Sequence, residues 1–150
     1  MRKFQFRFQA VLQERKRREE EALVSLATAQ RNHQAELSRK AELVAGLAEA
    51  HHRLSTLAHM PVRIEAFWAE QDYIAGTQQR IVQADQAILR TYRYLEKEMR
   101  SYLLCKRRTR AMEILQDKAL LEFKKEVSKH EAKELDDLNS MRFAHREAVI

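Results

Sequence analysis

Helix breakers are almost missing from this chain. Pro61 is its one proline, and Gly46 and Gly76 are its only glycines in 150 residues. Proline and glycine are the residues that most disfavour a helix interior, so long uninterrupted helices are expected on either side of Pro61. Cysteine is also scarce. Cys105 stands alone, which excludes an internal disulfide and is compatible with the cytosol. Aromatic residues are 7% of the total, which with one third of the residues charged argues against an ordinary globular domain. No apolar run approaches the roughly 18 residues that a membrane span needs. The opening Met1–Phe8 has no apolar h-region and no small-residue cleavage site, so no secretory signal is expected.

Catalytic signatures are equally sparse. Two isolated glycines cannot build a phosphate loop, and there is no CxxC, no HExxH and no nucleophile elbow. The six histidines are His33, His51, His52, His59, His130 and His145. His52 and His59 are seven apart and share a helix face, but His59 sits at the end before Pro61, so solvated positions are the simpler reading. Cys105 has basic neighbours but no companion at helical spacing, and it reads as an ordinary helix residue. No enzyme activity, cofactor or metal is expected.

Charge is what the chain has in quantity. One third of its residues are charged, the formal net charge is +6, and Ala, Glu, Lys, Leu, Arg and Gln dominate. This is the composition of long helices and coiled coils. The basic balance favours acidic partners.

The apolar residues are arranged in sevens. In the first run Phe8, Leu12, Ala22, Leu26, Ala29, Leu43, Leu47, Ala50, Leu54 and Leu57 fall on one heptad stripe. Arg15, Glu19, His33, Glu36 and Lys40 fall on it too, so the seam is weak and interrupted. After the break at His59–Val62 a second run begins near Arg63. Phe67, Ile74, Ile81, Ile88, Leu95 and Tyr102 recur every seven residues, with Gln71, Gln78, Asp85, Tyr92 and Met99 as the expected complementary line. Past Leu103 the apolar phase shifts, to Ile114, Leu121 and Leu135 on one line and Leu120, Val127 and Met141 on another.

These patterns predict an all-α fold: two long helices in an antiparallel coiled-coil hairpin with the turn near Pro61, forming a single domain over residues 1–150. Proline suits the first turn of the following helix. Leu54–Phe67, Leu47–Ile74 and Leu26–Leu95 pair with numbers that sum to 121, although a heptad slide gives equally regular pairs. At 1.5 Å per residue the arms are roughly 75 Å and about 125 Å. Either the C-terminal third of the second helix overhangs, or Gly76 marks a further bend.

Three surfaces are candidates for binding. The basic runs Arg15–Arg18 and Lys106–Arg110 could neutralise phosphates, but Glu19–Glu21 follow the first at once and no asparagine is there to read a base. An acidic protein surface fits better, and a solvated face with pairs such as Glu14–Arg18 is the bland alternative. The N-terminal Phe4, Phe6, Phe8, Val11 and Leu12, with Arg2, Lys3 and Arg7, suit a partner groove or simply the end of the chain's own seam. Phe67, Trp68, Tyr73 and Ile74 gather aromatic and apolar surface just after the break, with Trp68 and Tyr73 off the seam.

The opening Phe4–Leu12 followed by Arg15–Ala22, together with Leu115–Lys118 and Glu131–Leu138, resembles the FliJ family over the whole length of the chain. That family comprises small cytoplasmic proteins of the flagellar type III export apparatus. The resemblance implies a two-helix stalk without enzyme activity, acting at the cytoplasmic face of the inner membrane. It also implies three kinds of partner: a FliI-like hexameric export ATPase whose assembly and activity the stalk promotes, a FlhA-like export gate membrane protein, and export chaperones. By this resemblance the gate contact maps onto Tyr73 and Ile74 beside Phe67 and Trp68, with Thr77 at the next equivalent position. The ATPase contact maps to the end carrying both termini, with Arg15, Arg17, Arg18, Lys118, Lys125 and Lys133 as candidates. The stalk is expected to be a monomer that binds no nucleic acid. Three other readings remain: a stalk of a virulence-type secretion ATPase, a basic coiled-coil nucleic-acid binder, and a homodimeric scaffold.

Overall fold

The computed structural model describes residues 3–147, so Arg2 of the basic N-terminus lies outside the described residues. Two helices make up nearly all of them: α1, Gln9–Leu57, and α2, Ile64–Glu147. No strand occurs among the described residues, and the predicted all-α hairpin is the observed fold.

α1 ends by tightening. His59 N–H donates to the Thr56 carbonyl and Met60 N–H to the Leu57 carbonyl, three-residue steps that close the last turn. Pro61 follows in the connection, ahead of α2 rather than in its first turn. Its ring and missing N–H stop any continuation of α1. Gly76 lies inside α2, which runs through it without interruption, so the turn is confined to residues 58–63. Glu65 in the first turn of α2, and His145 and Arg146 in its last, complement the helix dipole.

Two compact units are distinguished. The central unit is Glu20–Leu104 and contains the turn. The terminal unit combines Met1–Glu19 with Cys105–Ile150.

In the central unit, the buried and half-buried residues of α1 follow the heptad stripe read from the sequence, including its polar members His33, Glu36 and Lys40. The register across to α2 differs from the expected one. His33 and Thr91 meet side chain to side chain at 3.0 Å, so paired numbers sum to 124 rather than 121. The shift has a packing reason. A sum of 121 sets Leu47 against Ile74, and Leu26 against Leu95. A sum of 124 sets Ala50 against Ile74, and Ala29 against Leu95, so that a small residue meets a large one and the helices close up. Ala50 and Ala29 are accordingly the most deeply buried residues of α1 in this unit, at 0% and 1% exposure.

The companion line on α2 is also different. Gln71, Gln78, Asp85, Tyr92 and Met99 are all exposed. The seam instead uses Thr77, Ala84, Thr91 and Glu98, each three residues after a large apolar one. Thr77 is buried, and its hydroxyl has no hydrogen-bond partner.

In the terminal unit, Thr109 Oγ1 donates to the Arg15 carbonyl and Gln116 Nε2 to Gln9 Oε1, again antiparallel. The seam residues of α2 here include Cys105, Thr109, Met112, Gln116 and Phe123. Thr109, Gln116 and Phe123 continue the count of sevens from Tyr102, and of the two expected shifted lines only Leu120 and Val127 are half-buried beside them. The polar side chains of Thr109 and Gln116 disguised the continuation. Ile114, Leu121 and Leu135 point to solvent. From Ser128 to Arg146 every residue of α2 is exposed, so this stretch has no helix beside it within the unit.

The buried Thr77 hydroxyl sets the first prediction. Leaving such a group unpaired costs about 1–3 kcal/mol. Thr77→Val should raise stability by about 1 kcal/mol in chemical denaturation. Ala50→Leu should lower it by about 1–3 kcal/mol through overpacking. A neutral Ala50→Leu would contradict the register that sums to 124.

Candidate functional site

The candidate residues divide between the units, and each set is built differently. In the terminal unit, Arg15, Arg17 and Arg18 stand on α1. Arg15 occupies a seam position and is half-buried. Its carbonyl accepts from Thr109, and its guanidinium reaches the Arg108 carbonyl at 3.5 Å, a long contact. Arg15 is therefore part of the helix pairing as much as of the surface. Arg17 and Arg18 are exposed and converge on Glu14. Arg17 Nη2 lies 2.8 Å from Glu14 Oε1, and Arg18 Nε lies 3.1 Å from the same oxygen. Hydrogen bonds from these two guanidiniums pull the Glu14 carboxyl from 4.5 down to about 2.

The arginines gather at one small hollow. Arg15, Arg18, Cys105 and Arg108 line a cavity of about 90 Å³. Neither Arg15 nor Arg108 has a carboxylate partner among the described ion pairs. Lys16 and Arg110 reach Glu113 at 3.9 and 3.3 Å. The basic face is thus partly neutralised by Glu14 and Glu113, while Arg15 and Arg108 bring unpaired charge to the hollow.

On α2 of the same unit Lys118, Lys125 and Lys133 are exposed. Lys118 borders an open groove along the N-terminal segment, lined by Phe4, Phe6, Phe8 and Phe123 among others. Phe4 packs on Phe123 with ring centroids 5.5 Å apart, so it covers the chain's own seam. Phe6 and Phe8 meet edge to face at 5.9 Å, and Phe8 and Val11 remain exposed. Lys125 and Lys133 lie further along α2 and border neither this groove nor the arginine hollow.

The aromatic set lies in the central unit. Trp68 is 59% exposed and Tyr73 44%, whereas Phe67 is half-buried and Ile74 is buried in the seam. Thr77, one turn on, is buried too. The surface available to a partner is therefore Trp68 and Tyr73, with Met60, Val62 and Ile64 exposed beside them in sequence. Tyr73 is held from α1. Arg53 lies over its ring at 5.8 Å and bonds Glu70 at 2.9 Å. Glu70 keeps the Arg53 guanidinium firmly protonated. A side chain at Gly46 would put its Cβ 3.3 Å from the Tyr73 hydroxyl, so the glycine makes room for the ring. Sequence reading missed Arg53, Glu70 and Gly46, because their relation to Tyr73 appears only once the register is known.

Among the described residues no group of three or more His, Cys, Asp or Glu could hold a metal, and no helix is long and apolar enough to cross a membrane. Cys105 is a free, half-buried seam residue.

The family model described as "Flagellar FliJ protein" matches residues 4–148. No curated protein and no solved structure matches the chain.

Glu14 supplies the second prediction. Its folded value lies below the unfolded one, so its contribution to stability is complete above pH 4.5 and is lost as pH falls through about 2. The Glu14 carboxyl carbon, followed by NMR, should titrate near 2. It should return toward the ordinary carboxylate range in Arg17→Gln/Arg18→Gln. An unshifted midpoint in the unmodified protein would contradict the geometry.

Proposed function

Because the chain belongs to the FliJ family, a non-catalytic component of the flagellar export apparatus, we propose that it is the stalk that engages the export ATPase ring and the export gate. The observation that carries this reading is the family match over nearly the whole chain. Two features of the molecule support it. The terminal unit exposes Lys118, Lys125 and Lys133, and it leaves the last turns of α2 unpaired with Leu135, Leu138, Met141 and Phe143 facing solvent. Such a stretch suits insertion into a surrounding partner, with cations meeting acidic or carbonyl-lined walls. The central unit exposes Trp68 and Tyr73 on a braced surface, which suits an anchor for the gate protein.

In this reading the chain contributes no nucleotide chemistry of its own. It raises turnover by favouring assembly of the ring, a binding effect that needs only differential affinity for the assembled state. Since each helix runs through both units, we infer a single domain acting at the cytoplasmic face of the membrane, with export chaperones as further partners.

The two surfaces should separate by mutation. The purified protein should raise the turnover of its cognate hexameric ATPase. Reversing charge at Lys118, Lys125 and Lys133, all exposed, should reduce that stimulation by about tenfold while circular dichroism stays helical, since three rim pairs at about 0.5 kcal/mol each amount to a factor near ten. Trp68→Ala/Tyr73→Ala should leave stimulation intact and weaken binding to the gate protein. Unchanged stimulation in the lysine variant would overturn the assignment of the ATPase face. Arg15 is a poor probe, because its substitution also disturbs the helix pairing.

A further inference from the structure

The outward face of α2 in the central unit carries two parallel ridges that the helix pairing does not use. Val82, Leu89 and Leu103 recur at multiples of seven, and they are 57%, 49% and 42% exposed. Tyr92 and Met99, also exposed, flank them on the side nearer the seam. On the other side Arg90, Arg93, Lys97 and Arg100 follow one another at spacings of three and four. At 100° per residue these four form a continuous row about 15 Å long. None of the four pairs with a carboxylate among the described residues, whereas Lys16, Arg17, Arg18, Lys40, Arg53 and Arg110 do so through Glu14, Glu70, Asp85 or Glu113. Glu96 interrupts the apolar ridge and joins no described ion pair.

We propose that this face docks an acidic amphipathic helix of a partner protein. The seven-residue spacing of the apolar ridge is the spacing at which one helix receives the knobs of another. The neighbouring cation row then meets carboxylates spaced three and four apart on the incoming helix, at the same pitch. An uncompensated row beside exposed apolar side chains fits a partner that supplies both contacts at once. A second copy of this chain is disfavoured, because like rows would meet on a molecule of net charge +6. Phosphates of a nucleic acid would take the cations and leave Leu89 and Leu103 in water. An anionic bilayer would draw Glu96 to its apolar boundary along with its neighbours. The face is separate from Trp68 and Tyr73 and from the terminal basic residues, so it adds a surface to the function proposed above.

The test is site-specific photocrosslinking of the full-length protein in its own host. The crosslinking residue replaces Leu89, with Val44, exposed on α1, as the control position. The expected product at Leu89 is a protein segment of net negative charge with apolar residues at three- and four-residue spacing. Its yield should fall at least about fivefold when Arg93→Gln and Arg100→Gln are added, the loss expected from two exposed ion pairs. Both arginines are exposed, so these changes spare the fold, and the circular dichroism melt verifies it. A product containing lipid, nucleic acid, a second copy of the chain or a basic segment would overturn the proposal. So would no product above the Val44 control, or a yield indifferent to the two arginine substitutions.

Discussion

The pairing of small residues against large ones along the helix seam is the constraint on which the structure depends. Neither helix has an apolar stripe broad enough to be stable alone, and a two-helix pair buries little area per residue. Closeness compensates for that poverty. Ala29, Ala50, Ala84 and Thr77 are nearly or completely buried, and each allows a larger residue opposite to approach the facing backbone. Dispersion falls off steeply with distance, so the register that brings the helices nearest wins over the one that lines up the largest side chains.

That preference explains which parts of the fold were legible in the sequence. The stripe on α1 was readable from Leu12 to Leu57, including Arg15, Glu19, His33, Glu36 and Lys40, because heptad position alone decides it. The register was not, because apolar-to-apolar matching favours Leu47 opposite Ile74, whereas volume favours Ala50 there. On α2 the eye follows Ile114 and Leu121 because they are large. The seam runs instead through Thr109 and Gln116, whose hydrogen bonds to the Arg15 carbonyl and the Gln9 side chain make them acceptable inside. The candidate sites were legible as residue types but not as arrangements. The pattern put Ile74 and Arg15 on the seam, but it did not tell that Arg53 would brace Tyr73 across it.

A seam with so many polar members also limits what the protein is suited to do. Glu36 keeps a buried oxygen without a partner, as Thr77 keeps its hydroxyl. Each such group costs stability that an apolar residue would have provided. A chain selected only for a firm coiled coil would not retain them. Polar members reduce the affinity of the seam for other apolar helices, and so disfavour the wrong pairings open to every exposed heptad.

The outward faces follow from the same economy. With the seam supplied largely by alanine, threonine and isolated large residues, much of the bulky apolar content of α2 is left over for the surface. Trp68, Leu89, Leu103, Leu121 and Phe143 are all more than one third exposed. A helix that placed these residues in its own seam would be more stable and would have less to offer a partner. Because they face outward, with Arg93, Arg100, Lys118 and Lys125 exposed among them, apolar and basic surface is distributed along α2 in separate stretches. Each stretch can be substituted without altering the pairing that holds α1 to α2.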